Sequence, residues 1–417
     1  MMNSRSLFCL VMGFWTVGLL MTGCNLQGAA STTASGSLLI PASSVFANFL
    51  TFVEVQKQGV GGVEGINGIW SVATSRDGRH VYAAGYRSDA VAVFTRDSTT
   101  GKLHFVETRK SGIDHVEGLR GVVSVVVSPD GKFVYTGAYW DEAVVVFSRD
   151  PMTGKLSSVE IQKNEVGGVD GLNGIRSLAI SPDGKHVYVT TYRDRAVVVF
   201  SRDETTGKLL FVQLVKKGIE GVDGLDGAAS AVVSQDGMHL YATGSIESAV
   251  AVFNRDRATG KLALVEAQRN GVAGVEGLGG ANSVTISADG KHVYVAGFSD
   301  SAVAAFGRDE MTGKLTFLET QKDGVGGVDG LDGTSSIVTS PDGKKVYVGG
   351  YLDNAVVVFD RDSGTGKLAF REVHREGVNG VKGLTGVRSV VASPDGRHVY
   401  AAGNADKALA VFSTSVP

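Results

Sequence analysis

The sequence predicts an all-β fold, a seven-bladed β-propeller with four antiparallel strands per blade. Three observations predict it. An S-x-D-G turn recurs with its aspartate at Asp77, Asp130, Asp183, Asp236, Asp289, Asp342 and Asp395, always 53 residues apart. A fixed period of this size belongs to solenoids, propellers and arrays. Each copy holds four short runs rich in Val, Tyr, Phe and Thr, separated by Asp-Gly or Thr-Gly turns. That is hairpin patterning, with no helical period in it. The chain ends are also complementary. The last copy stops after its third strand, at ALAVFSTSVP, and the missing fourth strand stands at the front as FLTFVEVQK (49–57). An N-terminal strand that closes the C-terminal blade removes an exposed sheet edge. A linear solenoid would carry polar caps instead.

The domain boundaries follow from the period. Seven copies counted back from Pro417 begin at Ala47, so the propeller spans 47–417. Ahead of it, Arg5 precedes an apolar run from Leu7 to Met21 that ends in Thr22 and Gly23. This is the pattern of a signal peptide over residues 1–23, and the run is short for a membrane span. Cys24 directly after Thr22-Gly23 resembles the lipobox of bacterial lipoproteins, although Met21 stands where Leu is usual. The resemblance implies cleavage before Cys24 and lipidation of its thiol. Asn25 at the next position resembles the outer-membrane sorting pattern. Residues 24–46 are rich in Ser, Thr and Ala and read as a flexible tether. The expectation is an exported protein, lipid-anchored to the bacterial cell envelope at the outer membrane. With Cys9 removed, a single cysteine remains, so no internal disulfide forms. Lys and Arg total 40 against 43 Asp and Glu, a net charge of -3. That excludes a basic nucleic-acid-coating protein, and contact with the membrane is expected through the lipid alone. The count of 57 Gly against 7 Pro fits many tight turns and neither collagen nor a Pro-rich linker.

The repeat S-P-D-G-K-H-V-Y-V-x-x-Y, followed by A-V-x-V-F-x-R-D-x-x-T-G-K-L-x-F-V-E, resembles the β-propeller lactonase family with its YVTN-type repeats. The resemblance covers 47–417. It implies the seven-bladed fold and, among the family's activities, lactone hydrolysis of the 6-phosphogluconolactonase kind. No Trp-Asp pair closes the third strand, which sets the repeat apart from WD40.

Residues repeated in every blade read as structure. Tyr82, Tyr135, Tyr188, Tyr241, Tyr294, Tyr347 and Tyr400 mark the second strand, and Phe94 and its six counterparts mark the third. Both series are expected to pack. His80, His186, His239, His292 and His398 share one slot but lie one per blade, too far apart to converge on a metal at ligand distances. Arg96, Arg149, Arg202, Arg255, Arg308 and Arg361 open the turn after the third strand. They are expected to form local, exposed bridges of about 0–1 kcal/mol each. The loop between blades reads V-x-G-V-x-G-L-x-G, with Val and Leu tucked inward. It carries Glu64, Glu117, Asp170, Asp223, Glu276 and Asp329, but Lys382 in the last copy. Acid-plus-glycine loops have the residue types for Ca²⁺ without the EF-hand spacing. No other cofactor is evident.

Recognition of an asymmetric ligand has to break the sevenfold symmetry, so the slots that vary are the candidates. The slot at the channel end of the first strand reads Trp70, Val123, Arg176, Ala229, Asn282, Ser335, Arg388. The loop between the second and third strands opens on the same face and carries Arg87, Trp140 and Arg193. The aromatic and cationic choices fall in blades 7, 1, 2 and 3. The candidate ligand-binding set is therefore Trp70, Arg87, Trp140, Arg176, Arg193 and Arg388, with His115 and Arg120 in the loop entering blade 2. An aromatic wall beside guanidinium groups suits a small anionic or sugar-like ligand. No G-x-S-x-G elbow, H-E-x-x-H or cysteine nucleophile is present, so no catalytic residue is assigned. The blades are also nearly identical. The sequence thus favours a propeller that binds a ligand or a protein partner, or serves as a scaffold. The alternative is a lactone hydrolase, in which an arginine steadies the oxyanion and His115 or Asp141 acts as base.

Overall fold

The computed structural model describes residues 48–415. The expected signal peptide (1–23), Cys24 and the tether (24–46) lie outside the described residues. Seven four-stranded antiparallel sheets follow one another, and no helix occurs among the described residues. Blade 1 shows the unit: an inner strand Ile69–Thr74, then His80–Gly85, Ala90–Arg96 and the outer strand Leu103–Lys110. Blade 7 takes its inner three strands from the C-terminus and its outer strand, Leu50–Lys57, from the N-terminus. That strand pairs with Ala408–Thr414 from Leu50↔Thr414 to Lys57↔Ala408.

The closing strand is held as the other outer strands are. Glu54 accepts the Leu103 N–H at 2.8 Å, and Glu319 accepts the Leu368 N–H at 2.7 Å. At the closure Glu372 accepts the N–H groups of Phe49 (2.8 Å) and Leu50 (2.7 Å). A carboxylate from one blade thus satisfies the backbone of the next at six seams, and the Gln213 amide oxygen does so for the Leu262 N–H (2.9 Å) at the seventh.

The core lies between blades. The seven repeated tyrosines are at most 1% exposed, and Tyr82 packs against Val125, Val134 and Phe147 of the next blade. Burying one such side chain contributes about 1.5–3 kcal/mol. The inter-blade loops pack on themselves as expected, with Val63 and Ile66 buried while Val60 stays exposed.

The repeated arginines correct the expectation of local, exposed bridges. Arg149 donates from Nη2 to Asp77 (2.7 Å), from Nε to the Tyr82 hydroxyl (2.9 Å) and from Nη1 to the Gly131 carbonyl (2.8 Å). Its side chain is 2% exposed, and Asp77 and Tyr82 belong to the preceding blade. Each arginine therefore rivets one blade to another. It closes the third strand, at a seam where only a long, planar, five-donor group reaches all the acceptors. Arg149 Nη2 also lies 2.7 Å from His80 Nδ1. A guanidinium only donates, so Nδ1 accepts and the imidazole is neutral. Burial, and then the Arg149 charge, hold the His80 pKa below its usual value.

Candidate functional site

The channel mouth is built by a repeated backbone irregularity. In every blade the register of the inner strand shifts at the variable slot: Ile69 opposes Gly85 and Ser71 opposes Ala84, leaving Trp70 as the extra residue. The same bulge stands at Val123, Arg176, Ala229, Asn282, Ser335 and Arg388. A bulge re-aims side chains. Here it lets two consecutive residues per blade, the variable one and the following serine, line a channel cavity of about 130 Å³.

The serines have two roles. Ser124 Oγ accepts the Leu178 N–H at 3.0 Å and Ser336 Oγ accepts the Val390 N–H at 3.0 Å, each from the next blade. Ser71, Ser283 and Ser389 do the same at 3.2–3.3 Å. Each hydroxyl keeps its proton for the channel. Perfect repetition concealed these residues in the sequence, because an unvarying slot reads as packing.

Of the six predicted site residues, three converge in the channel. Trp70 has the guanidinium carbons of Arg176 and Arg388 at 5.0 and 4.6 Å from its ring centroid. Arg176 also lies 5.6 Å from the Tyr192 ring, and Arg388 4.0 Å from the Tyr351 ring. Among the described residues neither arginine has a carboxylate within ion-pair distance. Arg388 Nε is buried with no hydrogen-bond partner. Burial pushes both guanidinium pKa values down, and the charge of Arg388 adds to the effect on Arg176.

Trp140 and Arg193 form the rim. Trp140 is 47% exposed and donates its indole N–H to the Tyr86 hydroxyl at 2.7 Å. Tyr86 in turn lies against Trp70, with ring centroids 5.4 Å apart. Arg193 sits 5.0 Å from the Tyr139 ring and 5.1 Å from Trp140. Gly121, at a φ of 66°, passes directly beneath the Trp140 ring, where any Cβ would clash. Arg87 does not join the set. Its stem lies along Gly68, and it lines a separate surface cavity of about 260 Å³ with Gln58, Glu64 and Lys110. Neither His115 nor Asp141 lines the channel. His115 is exposed on its loop, and Asp141 accepts the Arg120 N–H at 2.9 Å.

The sequence reading passed over Tyr86, Tyr139, Tyr192 and Tyr351. They share a slot just after the second strand, which reads Ser245, Phe298 and Asn404 in the other blades. That variation was the available signal. The loop acids include Asp223, paired with Arg269, and Asp329, which Arg375 holds at 2.5 Å. Asp323, Asp329 and Asp353 present carboxylate oxygens within 4.8 Å of one another.

A family model described as lactonase, 7-bladed beta-propeller, matches residues 106–215, 165–328 and 284–416. The chain belongs to this family. Among relatives of this lactonase propeller, the 6-phosphogluconolactonase of Klebsiella pneumoniae is 28% identical over 184 residues, 44% of this chain and 52% of the relative. The chain thus spans about half the length of the curated relatives it matches. The solved periplasmic gluconolactonase of Pseudomonas aeruginosa superposes with a TM-score of 0.60 at 21% identity, over 74% of this chain and 85% of that one. The Cps50 (Swd1) propeller domain of Myceliophteria thermophila gives 0.61 at 12% identity, over 87% and 100%. At these identities the likeness is one of fold.

Proposed function

We propose that this lactonase propeller opens the ring of an anionic or sugar-acid lactone at the channel mouth. One observation carries the reading. Arg176 and Arg388 stand half-buried in the channel, with no carboxylate partner among the described residues, beside a ring of serine hydroxyls. Unpaired guanidinium groups out of bulk water are costly to keep, and an anionic ligand offsets that cost. Family membership and the lactonase names of the relatives supply the reaction class.

The chemistry then runs on electrophilic assistance. A guanidinium donates to the lactone carbonyl oxygen and stabilises the negative charge that grows there. Water adds to the carbonyl carbon, the bond from that carbon to the ring oxygen breaks, and the leaving oxygen takes up a proton from the added water. The product is one hydroxy acid. The exposed face of Trp140 offers the sugar ring an apolar platform beside Arg193.

The cavity lining is serine, arginine, tryptophan, asparagine, alanine and valine, with no carboxylate or imidazole. That lining favours a second reading, in which the channel holds the acid without turning over a lactone. One experiment separates the two: acid release from a panel of sugar and aliphatic lactones, corrected for spontaneous hydrolysis. Catalysed release lost in Arg388→Ala and Arg176→Ala supports the hydrolase. Saturable binding of the sugar acid with no catalysed release supports the binding module. Catalysed release that both variants retain overturns the site.

A further inference from the structure

The face opposite the channel mouth carries the seven S-x-D-G turns, and its symmetry fails once. At six seams an arginine at the end of the third strand fills a slot made of an aspartate and a tyrosine from the preceding blade and a glycine carbonyl of its own. Arg96 donates to Asp395 at 2.7 Å, to the Tyr400 hydroxyl at 2.8 Å and to the Gly78 carbonyl at 2.9 Å. Arg361 makes the same set with Asp289, Tyr294 and Gly343 at 2.8 Å each. The counterpart at the seventh seam, 53 residues beyond Arg361, is Thr414.

The acceptors at that seam remain while the guanidinium is gone. Asp342 alone of the seven aspartates makes no ion pair among the described residues. It accepts only from the Ser340 hydroxyl at 2.5 Å and the Lys344 N–H at 3.0 Å. Among the described residues the Tyr347 hydroxyl receives no hydrogen bond from an arginine, whereas the Tyr294 hydroxyl has Arg361. Thr414 reaches the Gly396 carbonyl with its hydroxyl at 3.0 Å and leaves the rest open. A cavity of about 620 Å³ occupies the place, lined by Phe49, Asp342, Lys345, Tyr347, Gly396 and Thr414 among others. Of the neighbouring cations, Lys345 and Arg371 both pair with Asp360, while Lys344 lines the cavity without an ion pair among the described residues. Asp395, on the far wall, is held by Arg96. The one carboxylate in the slot without an ion pair among the described residues is Asp342, next to the Tyr347 hydroxyl and the Phe49 ring, which stacks on Tyr347 at 6.4 Å.

We propose that this seam cavity is a receptor for an alkylguanidinium group carried by another molecule, in the place that the chain's own arginines take at the other six seams. Asp342 accepts its terminal N–H groups and Tyr347 its Nε–H, while the Phe49 ring, which carries Lys345 Nζ at 4.8 Å and the Arg371 guanidinium at 5.4 Å, borders the slot. The planar five-donor fork fits where a lysine ammonium does not. The source is either an arginine side chain on a protein or a small free guanidine.

The test is thermal unfolding and calorimetric titration of the folded protein with N-acetylarginine methylamide, with agmatine, and with N-acetyllysine methylamide as control. The expected result is a saturable upward shift with the guanidines, at least tenfold tighter than the lysine control at equal ionic strength. A tighter response to the capped arginine marks a protein-borne group, and a tighter response to agmatine marks a small cation. Asp342→Asn should weaken the response at least tenfold. Thr414→Arg supplies the missing group from within, so it should raise the unfolding midpoint and abolish the response, with lactone hydrolysis unchanged. If Thr414→Arg does not fold, Asp342→Asn carries the test. No saturable arginine-specific response, or one that Asp342→Asn leaves intact, overturns the proposal.

Discussion

Replacing Arg255 with methionine tests the inter-blade rivets directly. The side chain is fully buried between blades 4 and 3, and its partner Asp183 is 24% exposed. The substitution removes donors to Asp183 (2.9 Å), the Tyr188 hydroxyl (2.6 Å), the Gly237 carbonyl (2.8 Å) and His186 Nδ1 (2.8 Å). Tyr188 keeps its own bond to the Gly260 carbonyl. Gly237 and His186 are left with buried acceptors unmet, at about 1–3 kcal/mol each. The charge-assisted bond to Asp183 adds about 1.5–3 kcal/mol, reduced because solvent reaches that carboxylate. The stem of methionine restores part of the packing. The expected loss is about 3–5 kcal/mol, in the range for breaking a buried pair. Urea unfolding followed by circular dichroism measures it, and a double-mutant cycle with Asp183→Asn isolates the pair. Burial works against the charged Asp183, but the Ser181 hydroxyl, the Lys185 N–H and Arg255 outweigh it and hold its pKa at about 2. That pKa should therefore rise in the variant. A loss below about 1 kcal/mol, the value of an exposed surface pair, would refute the reasoning.

Two further predictions concern the riveted histidines and the channel residue Arg388. His80, His186, His239, His292 and His398 all have folded pKa values held below the usual 6.5 by burial and then by an arginine. Below pH about 6.5 the unfolded chain binds more protons than the folded one, so stability is complete above that pH and falls as pH drops through the lowered values, by at most about 1.4 kcal/mol per pH unit per histidine; a melting temperature flat from pH 8 to pH 5 would contradict this. Arg388→Met removes a guanidinium with an unpartnered buried Nε, so the melting temperature should rise while response to sugar acids is lost; a fall in melting temperature would show that Arg388 supports the fold.

The fold was legible in the sequence because a propeller repeats its grammar. The 53-residue period, the Asp-Gly turns and the displaced strand at 49–57 are all local patterns, and each maps onto a strand or turn of the structure. The variable slot holding Trp70, Arg176 and Arg388 was legible as broken symmetry. Its aim was not, because the inner-strand bulge that turns those side chains into the channel leaves no mark in residue type. Arg87 follows the loop pattern of Trp140 and Arg193, and its stem lies along Gly68 as that of Arg193 lies along Gly174, but it lines a separate cavity with Gln58 and Glu64. The rivets were misread for a related reason. Arg149 and Asp77 are 72 residues apart in the chain, and only the closed ring brings the end of one blade's third strand against the previous blade's turn.

The most direct measurement is a crystal structure of the protein soaked with the sugar acid that lactone hydrolysis would release. The prediction is a carboxylate or phosphate within hydrogen-bond distance of the Arg176 and Arg388 guanidinium groups, over the serine ring. Ligand bound elsewhere on the propeller, with those two arginines untouched, would contradict the channel as the functional site.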